Sequence, residues 1–181
     1  MRIHDTQAGY GWLSIGLHWF AAFSIMILWL IGYQMTSEFT RPATYEGLVR
    51  VHTSLALMVY VILLYRVLRR LIVGFPGCSP GQQLMLFRIS RVVHGTMMLC
   101  IVTMLISGPL AVWSGGDVIG FFSLGDIPSP LPPNEAMHNV LTATHATVSK
   151  IIFGAFVLHA VGAAKGETSV RMMVATKDAP E

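Results

Sequence analysis

Residues 140–164 read VLTATHATVSKIIFGAFVLHAVGAA, an apolar stretch with one charge, at Lys150, and two histidines, His145 and His159. About 20 helical residues cross a hydrocarbon layer about 30 Å thick, so this stretch is long enough to span a membrane. The two histidines are 14 residues apart, and in an α-helix that spacing gives almost four complete turns and a rise of about 21 Å. Both imidazoles are therefore predicted to project from one face of a membrane-spanning helix, one toward each side of the membrane.

Three further apolar stretches precede this one, and together they predict an all-α membrane protein with four transmembrane helices. The predicted spans are 13–35, 51–73, 92–113 and 140–164, each bounded by Gly, Pro or charged residues. The composition agrees, because 54% of the residues are hydrophobic and only 12% are charged, whereas soluble domains carry about a quarter charged residues. We therefore expect a single four-helix domain over residues 1–181, surrounded by membrane lipid.

The basic residues predict the orientation of the four spans. They lie between apolar stretches and not in a tract interleaved with aromatic residues, so the net charge of +3 does not indicate a nucleic-acid partner. Of the 12 Lys and Arg residues, nine fall on one side of the predicted topology: Arg2, Arg66, Arg69, Arg70, Arg88, Arg91, Lys165, Arg171 and Lys177. The opposite side has only Arg41 and Arg50. The positive-inside rule then predicts a multi-pass protein with both termini in the cytoplasm.

Five of the seven histidines lie in or at the ends of the predicted spans, where an imidazole costs free energy unless it is hydrogen-bonded, ligates a metal or serves transport. These five are His18, His52, His94, His145 and His159. In the predicted topology His18 lies level with His159 near the cytoplasmic side, and His52 lies level with His145 near the periplasmic side. This pairing predicts bis-histidine ligation of two haems enclosed by the four-helix bundle.

Two points stay open at the level of the sequence. His94 begins the third span at the cytoplasmic level, so depth alone also allows it to replace His18 as the partner of His159. Zinc is a poorer match than haem, because two imidazoles without further ligands do not complete a tetrahedral site. The chain has no C-x-x-C-H motif, so any haem is expected to be bound non-covalently.

Arg66 and Arg70 follow His52 by 14 and 18 residues, so all three are predicted to share one helix face. Their guanidinium groups lie at the cytoplasmic end, where they can bind the propionates of the inner haem. The alternative is that they only satisfy the positive-inside rule, which is the preferred interpretation for Arg69. Lys150 lies inside the fourth span, where it either extends to the membrane surface or influences the outer haem.

Several motifs resemble the bacterial cytochrome b561 family, small four-helix di-haem proteins related to the cytochrome b subunits of nickel-iron hydrogenases. The motifs are G-L-H-W at 16–19, R-V-L-R-R-L at 66–71, S-G-P-L at 107–110 and L-H-A at 158–160. The resemblance implies haem b ligation by His18, His52, His145 and His159. It also implies that His94 is left free for contact with a quinone or a haem propionate.

The same resemblance implies a function. Proteins of this family carry electrons in the bacterial inner membrane and respiratory chain, and some oxidise superoxide on the periplasmic side while reducing a membrane quinone such as ubiquinone. We therefore expect superoxide or a redox protein as the electron donor, with superoxide:quinone oxidoreductase activity where superoxide is the donor. Two alternatives are a cytochrome b anchor subunit of a hydrogenase or dehydrogenase and a histidine-lined metal or proton transporter. Pairing of the histidines by depth argues against the transporter, since a permeation path places polar groups along its whole length.

Overall fold

The computed structural model describes residues 11–37, 41–74 and 83–165, and this part of the chain contains four long helices. They are α1 (Trp12–Met35), α2 (Pro42–Val73), α3 (Leu84–Ser114) and α4 (Glu135–Lys165). Each is long and apolar enough to cross a membrane. The prediction of an all-α membrane protein with four transmembrane helices is confirmed. Arg2, Arg171 and Lys177, which contributed to the predicted orientation, lie outside the described residues.

Three of the helices begin earlier than the predicted spans. α2 begins at Pro42, α3 at Leu84 and α4 at Glu135, whereas the spans were predicted from residues 51, 92 and 140. Hydropathy locates the segment that is apolar enough for the hydrocarbon layer, but the helix continues into the adjoining polar residues. The sequence supports these extensions, since proline is favourable in the first turn of α2 and an acidic residue is favourable in the first turn of α4.

A short β-hairpin lies between α3 and α4, in a segment predicted only as a connection. Strands β1 (Ile119–Phe121) and β2 (Gly125–Ile127) pair in antiparallel register, with Ile119 opposite Ile127. The hairpin is attached to α2 around the turn residue Phe122, whose φ of 47° is unusual for a residue with a side chain. The Phe122 N–H donates to Ser54 Oγ, and its carbonyl accepts a hydrogen bond from Arg50 Nε.

The two ends of the bundle carry opposite charge. We call the end that holds the hairpin the hairpin end. The opposite end, where α1 begins and α2 ends, is called the arginine end, and its basic residues are Arg66, Arg69, Arg70, Arg88, Arg91 and Lys165. All acidic residues in the described part of the chain lie toward the hairpin end: Glu46, Asp117, Asp126 and Glu135.

The helices pack around a narrow core. The most extensive contacts join α3 with α4 and α1 with α2. The buried core residues are Ala21, Val59, Leu63, Val67, Cys100, Ile101 and Ile152. Most other large apolar side chains are exposed, as expected in lipid, where acyl chains are as apolar as leucine and burial gains little. Ile152, which lies between His145 and His159 in sequence, therefore belongs to the core between the two histidine levels.

Candidate functional site

The structure brings four of the histidines together as two pairs. The ring centroids of His18 on α1 and His159 on α4 are 5.9 Å apart, and those of His52 on α2 and His145 on α4 are 6.5 Å apart. A metal lies about 2 Å from an imidazole nitrogen, which itself is about 1 Å from the ring centre, so two rings on opposite sides of one metal have centroids about 6 Å apart. Both observed separations are close to that value.

His94 lies beside the first of these pairs. Its ring centroid is 4.8 Å from that of His159, which is shorter than the separation of about 6 Å for two rings on opposite sides of one metal. Its Nδ1 donates a hydrogen bond to the Ser90 carbonyl, 2.7 Å away. The geometry therefore favours His18 over His94 as the partner of His159, a choice that depth alone left open.

At the hairpin end, two residues of α3 hold the His145 ring. Ser107 Oγ lies 3.1 Å from His145 Nδ1, and the Ser107 side chain is only 2% exposed. A Cβ atom added to Gly108 would lie 3.2 Å from His145 Cε1, so the ring occupies space that only glycine leaves open. When the Nδ1–H group donates to Ser107, the lone pair of Nε2 is available to a metal.

Ser107 and Gly108 belong to the S-G-P-L motif, but neither residue has a role that could be predicted from the sequence. The available signal was a pair of small residues within a long run of large apolar ones. Their role depends on which face of α3 packs against α4, and sequence spacing within α3 does not reveal that.

His52 completes the hairpin-end pair and packs against α1. A Cβ atom added to Gly32 would lie 3.6 Å from its Cε1 atom. Although the ring lies beside the Leu28 carbonyl, its buried Nδ1 makes no hydrogen bond of ordinary geometry within the described residues. An orphaned buried nitrogen is costly. The Leu28 carbonyl is the described group that could accept the Nδ1–H when Nε2 is left for a metal.

At the arginine end, Arg66 contacts the His18 ring. Its Nη2 atom lies 2.9 Å from His18 Nδ1. A guanidinium group only donates hydrogen bonds, so Nδ1 is the acceptor here and the ring proton lies on Nε2. Ligation of a metal through Nε2 requires the opposite tautomer, in which Arg66 leaves Nδ1. The propionates of a haem are anionic partners suited to receive it.

The other two arginines of α2 have different partners. Arg70 donates to the carbonyl of Gly74, 3.0 Å away, at the end of its own helix. Arg69, predicted to point away from the site, donates to Ser14 Oγ on α1. Arg66 is thus the member of this cluster that contacts one of the paired histidines directly.

The side chains that could ligate a metal in the described residues suit an iron macrocycle better than a bare metal ion. No group of three or more His, Cys, Asp or Glu side chains in this part of the chain is arranged to hold a metal ion. Each level offers two imidazoles, and four further nitrogen atoms are what a porphyrin supplies. The two histidine pairs therefore fit haem, whose iron each pair would hold through two imidazole nitrogens.

Comparison with known proteins identifies the family of the chain. The family described as prokaryotic cytochrome b561 matches residues 9–175, a range that includes both histidine pairs. Cytochrome b561 homolog 2 of Escherichia coli (strain K12) is similar, with 26% identity over 165 residues that cover 91% of this chain and 88% of that protein. The chain therefore belongs to the prokaryotic cytochrome b561 family and is a membrane cytochrome b, which binds haem b and transfers electrons across the membrane.

Proposed function

We propose that this protein is a di-haem cytochrome that transfers electrons between a periplasmic donor and a membrane quinone such as ubiquinone. His18 and His159 ligate one haem, and His52 and His145 ligate the other. The observation that carries the proposal is the separation of 5.9 and 6.5 Å between the paired rings at two levels of α4. When bound, each haem supplies a one-electron iron couple. The two levels are about 21 Å apart along α4, which suits charge transfer between the two leaflets.

The orientation is inferred from charge. The arginine end carries six basic residues and no acidic residue within the described ranges, so the positive-inside rule places it on the cytoplasmic side of the bacterial inner membrane. Both chain termini are then cytoplasmic. The His18–His159 pair lies toward the cytoplasm and the His52–His145 pair toward the periplasm.

The polar residues around the inner pair have proposed roles in binding. Arg66, which reaches His18, binds a propionate of the inner haem, and Arg70 supports it from the next turn of α2. His94 lies against His159, with its orientation fixed by the Ser90 carbonyl. It is proposed as a contact for the quinone headgroup or for a propionate.

The charged residues at the hairpin end determine which kind of periplasmic donor the protein attracts. Superoxide is an anion and is attracted by positive potential. Arg50 does not supply free positive charge, because it forms an ion pair with Asp126, 3.0 Å apart. Four acidic residues lie toward this end, against two basic ones, Arg41 and Arg50. These charges favour a redox protein with a basic surface as the donor, and superoxide is the second candidate.

The haem content of the purified protein tests this proposal. We expect two haems per chain, released by acid–acetone because they are not covalently bound. His145→Ala should lose the hairpin-end haem and retain more of the other, since each pair occupies its own level. His94→Ala, the control, should retain both. One haem or none in the wild type contradicts the proposal. Loss of the inner haem in His94→Ala but not in His18→Ala shows that the ligand was assigned to the wrong residue.

A further inference from the structure

One ring of each histidine pair has a polar side chain beside its Nδ1 atom, and the two side chains differ in charge. At the hairpin end, His145 Nδ1 faces the buried hydroxyl of Ser107 at 3.1 Å. At the arginine end, His18 Nδ1 faces the guanidinium group of Arg66 at 2.9 Å. A ligating histidine that donates its Nδ1–H to an acceptor is more basic and gives more electron density to its metal. Arg66 leaves His18 Nδ1 when that ring ligates a metal through Nε2, but it stays at the arginine end, and a cation near a metal site favours the reduced, less positive state of the metal.

The distribution of charge over the whole bundle also favours the reduced state of a metal at the arginine end over one at the hairpin end. In the described ranges, the arginine end holds six basic residues and no acidic one, whereas the hairpin end holds four acidic residues and two basic ones. Arg50, the basic residue of the hairpin end that is closest in sequence to His52, is paired with Asp126. Lys150 is exposed on the outer surface of α4. The potential of the protein therefore stabilises added negative charge at the arginine end more than at the hairpin end.

We propose that Ser107 acts through His145 to lower the reduction potential of the hairpin-end haem below that of the arginine-end haem. Ser107 is a positioning residue, since its hydroxyl fixes the tautomer and basicity of the ligand without touching the haem. The consequence is a direction for electron transfer. With both haems bound, this difference would favour transfer of one electron from the hairpin-end haem, which would be oxidised, to the arginine-end haem, which would be reduced. This proposal rests on the presence of the two haems proposed above.

A redox titration followed by visible spectroscopy tests the inference on purified protein with both haems bound. The wild type should show two transitions. His52→Ala, which removes the hairpin-end haem, should lose the lower one. Ser107→Ala should shift the lower transition upward and leave the upper one in place, because the acceptor for the Nδ1–H group is gone. Ser107→Thr keeps the hydroxyl and should restore a value near that of the wild type. Thr103→Ala is the matched control, because its hydroxyl donates to the Leu99 carbonyl one turn away on the same helix.

Two outcomes overturn the inference: unshifted transitions in Ser107→Ala, or loss of the upper transition in His52→Ala. If Ser107→Ala loses haem, Ser107→Cys provides the test, because the thiol keeps an atom in the place of the hydroxyl oxygen but is a weaker acceptor. That variant should raise the lower potential by a smaller amount, and an unchanged value contradicts the role of Ser107. A wild type without two haems contradicts the proposed function itself, so the two failures are distinguishable.

Discussion

At the scale of single residues, Gly108 leaves less space beside a paired histidine ring than Gly32 does. Its missing side chain leaves the space for His145, since a Cβ atom would lie 3.2 Å from Cε1 of that ring. Small residues are common where helices pack together in membranes, because they allow the two backbones to approach closely. At Gly108 the space is occupied by the ring of His145, a proposed haem ligand, and not by the backbone of the neighbouring helix.

Gly108→Ala should displace the His145 ring by a few tenths of an ångström and weaken binding of the hairpin-end haem, while the arginine-end haem is retained. Gly95→Ala on the same helix is the matched control, because a Cβ atom there meets nothing within 4 Å. Haem per chain, measured by the reduced-minus-oxidised spectrum, compares the two variants. Equal haem contents show that His145 tolerates the added methyl group and that Gly108 has no part in the site.

The histidine pairs were accessible to sequence reasoning because α-helices are regular. The rise per residue places His145 and His159 at two levels of one helix, and their partners follow from the direction in which α1 and α2 run. Ser107, Gly108 and Gly32 could not be found this way. Each acts across a helix interface, where the rotation of one helix against another decides which side chains meet.

At the scale of the elements, α1 was predicted to within one residue of its observed start, while the hairpin was missed. Strands of three residues are too short to show an alternating pattern. The contacts that attach the hairpin are also distant in sequence, since Ser54 and Phe122 are 68 residues apart. A sequence window that covers residues 114–139 therefore contains the strands but not the helix that holds them.

The hairpin depends on Ser54, whose side chain is fully buried. Its hydroxyl lies 3.1 Å from the Gly120 carbonyl and accepts the Phe122 N–H at 2.7 Å. Ser54→Ala leaves the Phe122 N–H without its acceptor and should reduce stability by about 1–3 kcal/mol. The effect should show as faster proteolytic cleavage within the hairpin and a lower Tm.

Ser149→Ala on α4 is the control, since that hydroxyl donates to the Ala146 carbonyl of its own helix. If the hairpin of Ser54→Ala is cleaved no faster than that of Ser149→Ala, its attachment to α2 does not depend on this side chain.

For the whole molecule, the opposite charges of the two ends predict how donors respond to salt. The four acidic residues toward the hairpin end should attract a cationic redox protein, so haem reduction by such a donor should slow as ionic strength rises. Reduction by superoxide should show the reverse dependence. The double variant Asp117→Asn with Glu135→Gln should flatten both dependences in stopped-flow measurements.

Arg88→Gln at the arginine end is the control and should leave the salt dependence of both donors unchanged. A superoxide reaction that is fastest at low ionic strength contradicts the charge argument and makes superoxide the favoured donor.

One helix, α4, contributes a histidine to each pair. The distance between the two levels is therefore fixed by 14 residues of a single continuous helix and not by the packing of separate helices. Tilting the bundle in a thinner or thicker bilayer rotates both levels together and leaves their spacing unchanged. Insertion of one residue between His145 and His159 turns the second ring by about 100° and removes it from its partner. The protein thus tolerates variation in its lipid surroundings but not in the length of this segment.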